Sequence, residues 1–258
     1  MSRTSGIPRA SESAWTAELL RVTLFHAHTD EVKAEGWWQM VTGMAPDGSI
    51  GKPKTGERIE LGKLDDTTLV LHAKQLEGRI DWVLTWEGEP SDNPPSFPDK
   101  ATVLLNLMAN LFSLEVLPSI NRVAFGALVV LPIPGDTLGH EGYATISNYL
   151  TFDISRDTAS DFMFQINRKR SSTTIPEVEV NRLTKWSGIK AVTRQTVLIS
   201  SDGIVASPAV ASTLEGCHLE LDISTAKVDV AFPGDMLNAL LTELVDLGRE
   251  LIREGDVP

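Results

Sequence analysis

Cysteine is almost absent from this chain, which carries a single one, Cys217, among 258 residues. One thiol can form neither an internal disulfide nor a thiolate cage for zinc. Because Cys217 lies in a run in which apolar residues alternate, we expect a buried structural thiol. A reducing compartment is compatible with this composition.

Long apolar runs are also missing, since no stretch approaches the roughly 18–20 apolar residues that a membrane span requires. The first residues contain Arg3 and Arg9 but no apolar block, so they do not read as a secretory signal. We expect a flexible tail over residues 1–15 and a soluble, cytoplasmic protein. A glycine-rich phosphate loop and a Gly-x-Ser-x-Gly nucleophile elbow are likewise absent from the sequence.

Positive charge is scarce, with 23 Lys and Arg against 35 Asp and Glu and a formal net charge of −12. Such an excess favours solubility and repels nucleic acid and anionic lipid. The charge is uneven, because residues 168–194 hold seven basic residues and only two acidic ones, Glu177 and Glu179. That window carries +5 and the rest of the chain −17.

Hydrophobic periodicity and turn residues divide the first half into alternating elements. The predicted strands are 19–25, 58–64, 68–75 and 79–86, and the predicted helices are about 30–42 and about 99–114, with Asp99 as the cap. Residues 43–56 are predicted to be a loop, and the four prolines within 90–98 exclude regular structure there.

The second half repeats this order. The predicted strands are 122–131, 162–167, 178–186, 189–200 and 218–223, and the predicted helices are 141–150 and one that starts near Asp235 and ends at Gly255. We therefore predict an α+β fold of two tandem β-α-β-β-β-α units, with antiparallel sheets and helices packed on one face. The lobes would span residues 16–117 and 118–258, either as separate sheets or as one continuous sheet.

Histidines and an aspartate follow the first predicted strand, as His26, His28 and Asp30. Two imidazoles two positions apart on a strand point to the same side, and a carboxylate can complete a zinc site that activates water, with His140 as a further ligand. Metallo-β-lactamase-fold hydrolases begin their metal site in this way, but Glu31 stands where they have another histidine. The alternative is a strand end at which Asp30 caps the following helix, with no metal.

Asn-Arg pairs recur on the strands of the basic window. Arginine forks bind carboxylate or phosphate in bidentate fashion, and a neighbouring tryptophan can stack on a base or a guanidinium. We predict a partner-binding surface made by Asn167, Arg168, Lys169, Arg170, Arg182, Lys185 and Trp186. Its partner would be a protein, since the net charge disfavours nucleic acid. The alternative is a solvated sheet face that balances the acidic remainder of the chain.

Short strand motifs resemble a sporadically distributed family of uncharacterised bacterial proteins. The matching segments are residues 121–126, 161–168, 180–186 and 219–223, the last followed by a long helix. The resemblance implies a two-lobed α+β fold and a link to mobile or defence gene clusters, and it implies no activity.

Three functions are consistent with these observations. The first is a non-enzymatic binding or accessory subunit of a bacterial multi-protein system, such as anti-phage defence, which needs no cofactor. The second is a zinc-dependent hydrolase that uses His26, His28 and Asp30. The third is a sensor of a small anionic ligand or phage component that binds in the cleft between the halves.

Overall fold

The computed structural model describes residues 9–27, 32–86, 95–115, 117–133, 141–152, 154, 161–193, 199–200, 203–204 and 212–257. Within these residues, four α-helices accompany a nine-stranded antiparallel sheet and a separate two-stranded one. The predicted α+β class is confirmed.

The strands of the first half are β1 (Thr16–His26), β2 (Gly48–Lys52), β3 (Glu57–Leu64), β4 (Thr67–Lys74) and β5 (Arg79–Trp86). Those of the second half are β6 (Ile120–Pro132), β7 (Met163–Ser171), β8 (Glu179–Thr193), β9 (Ile199–Ser200), β10 (Gly203–Ile204) and β11 (Ser212–Thr225). The helices are α1 (Trp37–Thr42), α2 (Phe97–Phe112), α3 (Glu141–Ser147) and α4 (Gly234–Glu254).

The nine strands follow the order β2-β3-β4-β5-β1-β6-β11-β8-β7. β1 and β6, the first strands of the two halves, pair with each other at the centre, with Val22 opposite Phe125 and Leu24 opposite Val123. The two halves therefore share one continuous sheet, while β9 and β10, among the described strands, pair only with each other.

The described helices cover one face of this sheet. α2 packs on β1, α4 on β6 and β11, and α3 on β8 and β11, and α2 and α4 contact each other. Because side chains alternate along a strand, every second residue, such as Val22, Phe125 and Leu221, is buried under the helices. We call this side the helix face and the other side the open face.

Aromatic side chains tie the beginning of the described chain to the second half. The ring of Trp15 lies edge-on to Tyr149 at 5.5 Å and to Trp186 at 6.2 Å, and all three are buried. Arg9 Nε donates a hydrogen bond to the carbonyl of Asn148 at 2.8 Å. Residues 9–15, which the sequence assigns to a flexible tail, thus pack against the sheet and helices.

Two elements of the first half differ from the sequence prediction. The first helix begins at Trp37 rather than near residue 30, because Gly36 precedes it in a left-handed conformation with φ of 80°. The predicted loop over residues 43–56 contains an edge strand, β2, which pairs with β3. The single apolar residue of β2, Ile50, is 53 % exposed, so the sequence shows no alternation of apolar and polar residues that would indicate this strand.

Two further boundaries also move. The strands predicted at 178–186 and 189–200 are joined, because β8 runs unbroken to Thr193 along β11. Ser96, not Asp99, is the N-cap of α2, and its hydroxyl accepts a hydrogen bond from the Asp99 amide at 3.4 Å. The end of the last helix at Gly255 is confirmed.

Gly255 should be irreplaceable in this fold. Its φ of 78° and ψ of −154° belong to a region that is essentially restricted to glycine, and an added Cβ would stand 2.1 Å from the Tyr149 carbonyl oxygen. Gly43, with φ of 76° and open space around its Cβ position, is the matched control. We expect Gly43→Ala to cost about 1–2 kcal/mol and Gly255→Ala clearly more, as measured by urea unfolding. Equal losses would contradict the role of the Tyr149 contact.

Candidate functional site

Alternation divides the predicted partner-binding residues between the two faces of the sheet. Asn167, Lys169 and Lys185 lie on the open face, where Asn167 donates to Asn181 at 3.1 Å. The helix face holds Arg168, Arg170, Arg182 and Trp186. The seven residues therefore do not share one surface, although β7 and β8 are paired.

The helix-face arginines hold the segment at the end of α4. Arg168 donates two hydrogen bonds to the Asp256 carboxylate, at 2.5 and 2.7 Å, and the Asp256 side chain is 1 % exposed. Arg170 binds Glu250 in the same bidentate way, at 2.9 and 2.8 Å. Bidentate pairs of this kind are strong and directional, so these guanidinium groups fasten α4 to β7.

Arg182 is a buried cation between these two pairs. Its side chain is 0 % exposed, and its Nη2 donates to the Val257 carbonyl at 3.3 Å. Its Nε and Nη1 have no hydrogen-bond partner among the described residues. Burial lowers the pKa of Arg182, and the positive charge of Arg170 lowers it further. Trp186 is also buried and stacks on Tyr149 at 5.5 Å, so it presents no ring surface for a base.

Breaking the ion pair of Arg168 should lower the free energy of unfolding more than removing the buried charge of Arg182. Arg168→Met leaves the Asp256 carboxylate buried without its counter-ion, which costs about 3 kcal/mol or more. Arg182→Met replaces an incompletely bonded cation with an apolar side chain, and we expect a change within about 1 kcal/mol. Denaturant unfolding measures both. The double variant Arg168→Met/Asp256→Asn should recover much of the loss, and no recovery would contradict this account.

The Glu250 pair should make stability depend on acid. The hydrogen bonds from Arg170 hold the pKa of Glu250 below its ordinary value, despite partial burial. The stabilisation is therefore complete above the ordinary pKa of glutamate and is lost as the pH falls through the lowered pKa. We expect Glu250→Gln to flatten the decline in unfolding free energy between about pH 5 and pH 3. Glu254→Gln is the control, because Glu254 makes no hydrogen bond to a described residue. An unchanged slope in Glu250→Gln would count against the pairing.

Of the four predicted metal-site residues, only His26 lies in the described part of the chain. His26 is 4 % exposed, its Nδ1 lies 2.7 Å from the Ala27 carbonyl oxygen, and its Nε2 is buried without a hydrogen-bond partner in the described structure. His28, Asp30 and His140 lie outside the described residues. Among the described side chains, no group of three His, Cys, Asp or Glu could hold a metal ion.

Cys217 and His218 point to opposite faces of β11, as predicted. Cys217 is fully buried on the helix face, and this burial raises the pKa of its thiol, so the sulfur is not available as a nucleophile. His218 lies on the open face with its Nδ1 3.4 Å from Ser187 Oγ, and burial lowers its pKa.

A depression of about 320 Å³ lies on the open face where the two halves join. Its floor is made by β1, β6, β11 and β8 and by the edge strand β7. The residues that point into it from these strands are Leu19, Arg21, Gly126, Leu128, Gln165, Leu183, Lys185, Glu220 and Asp222. Three leucines supply apolar walls, and the charged side chains lie between them. The central depression, as we name it, has a volume at the lower end of small-molecule sites.

Arg21 lies over a glycine in the middle of this depression. Gly126 stands opposite Arg21 in the β1–β6 pair, and a Cβ at Gly126 would be 3.3 Å from Arg21 Nη2 and 3.4 Å from Nε. The missing side chain thus gives the guanidinium room to lie against β6. Arg21 Nε is buried without an acceptor, and the guanidinium makes no ion pair with any described residue. An unsatisfied buried donor costs about 1–3 kcal/mol, so a bound acceptor would be favoured here.

Two of the neighbouring cations on the open face are compensated by ion pairs. Lys185 and Glu220 form an ion pair at 3.0 Å, and Arg79 binds Asp81 at 2.6 and 2.8 Å. Arg122 donates to Ser224 at 3.0 Å. Asp222, opposite Gly126 on β11, differs, because it makes no hydrogen bond or ion pair within the described part of the chain.

Sequence reasoning missed Arg21, Gly126 and Asp222. Arg21 is a single cation in an apolar strand, and Asp222 alternates with apolar residues in the way that an ordinary surface carboxylate does. A glycine inside a strand is the signal that was available, because it often marks a close approach of another group. Of the predicted partner-binding residues, only Lys185 lines the central depression.

Comparisons with known protein families, with characterised proteins and with solved structures found no match to this chain. No helix in the described segments is long and apolar enough to cross a membrane. The assignment of function therefore depends on the chain's own geometry.

Proposed function

We propose that this chain is a binding protein that takes a small carboxylate-bearing ligand in the central depression. The observation that carries the proposal is the Arg21 guanidinium, which is half-buried over Gly126 and has no ion pair in the described structure. Of the three functions that the sequence predicts, the sensor of a small anionic ligand between the halves agrees best with this placement.

The charge around Arg21 favours a carboxylate over a phosphate. Asp222 lines the same depression and forms no ion pair with a described residue, so its carboxylate would repel a dianion at Arg21 more strongly than a monoanion. A carboxylate carries one charge and matches the planar fork of an arginine in bidentate geometry. The leucine walls add contact for an apolar body attached to that carboxylate.

The accessory-subunit function stays a prediction. Its basic surface gains little support, because Arg168 and Arg170 are bound to Asp256 and Glu250 within the fold. Membership in the sporadically distributed bacterial family and a role in defence are likewise predictions. The tandem duplication is supported by the sheet order, in which each half starts from a central strand and returns to it through a meander.

Binding of 4-methylpentanoate tests the proposal. At a saturating concentration, about 100 times the Kd, a ligand stabilises the folded state by about 2.7 kcal/mol, which raises the Tm of a chain of this size by several degrees. We expect this rise in the wild type and its loss in Arg21→Met, as measured by differential scanning calorimetry.

The control is Lys52→Met, which removes the same charge from a more distant strand of the open face and should keep the response. Inorganic phosphate at equal concentration should give a much smaller shift. Equal responses of the wild type and Arg21→Met, or no response of the wild type to any carboxylate-bearing probe, would refute the proposal.

A further inference from the structure

The central depression holds two charges of opposite sign that the described structure leaves unpaired. Arg21 and Asp222 stand on either side of Gly126, on β1 and β11, and they form no ion pair with each other. The nearby Lys185 and Glu220 neutralise one another at 3.0 Å. An occupant of this depression therefore meets one cation and one anion that form no ion pair with a described residue, and the Asp222 carboxylate is also attracted by Arg79.

We infer that the ligand is a zwitterion, an α-amino acid with an apolar side chain, whose carboxylate binds Arg21 and whose ammonium binds Asp222. This inference rests on the proposed carboxylate site and names its ligand class. It also accounts for Asp222. A ligand with a carboxylate and no ammonium would leave Asp222 without a partner and would be repelled by it.

The spacing of the strands fits two charges carried by adjacent groups. Neighbouring strands lie about 4.8 Å apart, and the Arg21 side chain already extends across β6, since its Nη2 lies against the Cβ position of Gly126. Asp222 stands opposite the same glycine on β11, so the guanidinium over Gly126 and the β11 carboxylate belong to directly adjacent strands. In an α-amino acid the ammonium and the carboxylate are attached to one carbon, so both charges can be met at once.

The apolar walls of the depression favour an apolar side chain on the ligand. Leu19 and Leu128 face each other across the β1–β6 pair, and Leu183 lies beside Asp222 on β8. A branched aliphatic side chain fits between these leucines, whereas a third charge would lie against them without a partner. The volume of about 320 Å³ suits a ligand of this small size better than a peptide.

Calorimetric titration with three probes separates the contributions of the two charges. L-leucine carries both charges, 4-methylpentanoate has the same carbon skeleton without the amine, and 3-methylbutylamine lacks the carboxylate. For the wild type we expect the Kd of L-leucine to be at least about ten-fold below that of either analogue, because each loses one charge-assisted contact.

Asp222→Asn should raise the Kd of L-leucine about ten-fold or more and should not weaken binding of 4-methylpentanoate. Asp229→Asn, which removes an exposed carboxylate outside the depression, is the matched control and should change neither value. N-acetyl-L-leucine lacks the positive charge and should bind the wild type as weakly as 4-methylpentanoate. This last comparison needs no variant, so it holds even if Asp222→Asn does not fold.

The outcomes distinguish the inference from the proposed function. If 4-methylpentanoate binds the wild type as tightly as L-leucine and Arg21→Met abolishes both, the zwitterion is refuted and the carboxylate site stands. If no probe with a carboxylate binds, or if Arg21→Met retains full binding, both fail. A preference for L-leucine that depends on Arg21 and on Asp222 supports both.

Discussion

The antiparallel pairing of β1 with β6 is the constraint on which the rest of this structure depends. It turns two sheets that each need a covered face into one sheet whose helices lie together on one side. α2 packs on β1 and α4 on β6, so the two long helices meet above the central pair. Burial of Val22 and Phe125 beneath them is the apolar core that joins the halves.

The pairing of β1 with β6 also forms the candidate site, which lies on the open face of the sheet. Residues that alternate away from the core meet on the open face, and the register of β1 on β6 places Arg21 opposite Gly126. A shift by one residue would turn Arg21 into the core and Val22 to the surface, so the stability of the core also fixes the position of the guanidinium. The buried arginines of β7 and β8 serve a different purpose, because they fasten the end of α4 to the sheet through Asp256 and Glu250.

The sequence predicted the strands well where buried and partly exposed residues alternate, as they do along the whole of β4. The start of α1 was predicted wrongly because Gly36 adopts a left-handed conformation and the helix begins only after it. The strand β2 was missed because Ile50 is its single apolar residue. The ion pairs of the basic strands could not be predicted from the sequence for another reason. The acidic partners of Arg168 and Arg170 lie at positions 256 and 250, at least 80 residues away, and no local pattern announces such pairs. The alternation of side chains along a strand does, however, predict that the neighbours Asn167 and Arg168 lie on opposite faces of the sheet.

The central position of β1 has a consequence for the order of assembly. The first half contains a meander of β2 to β5 whose partners are neighbours in sequence, and such local pairings close quickly. β1 joins that meander through β5, but its other edge must wait for residues 120–132. During synthesis, a nascent first half therefore exposes an apolar strand edge, of the kind that invites association with other chains. The exposure ends when residues 120–132 have been made and β6 pairs with this edge.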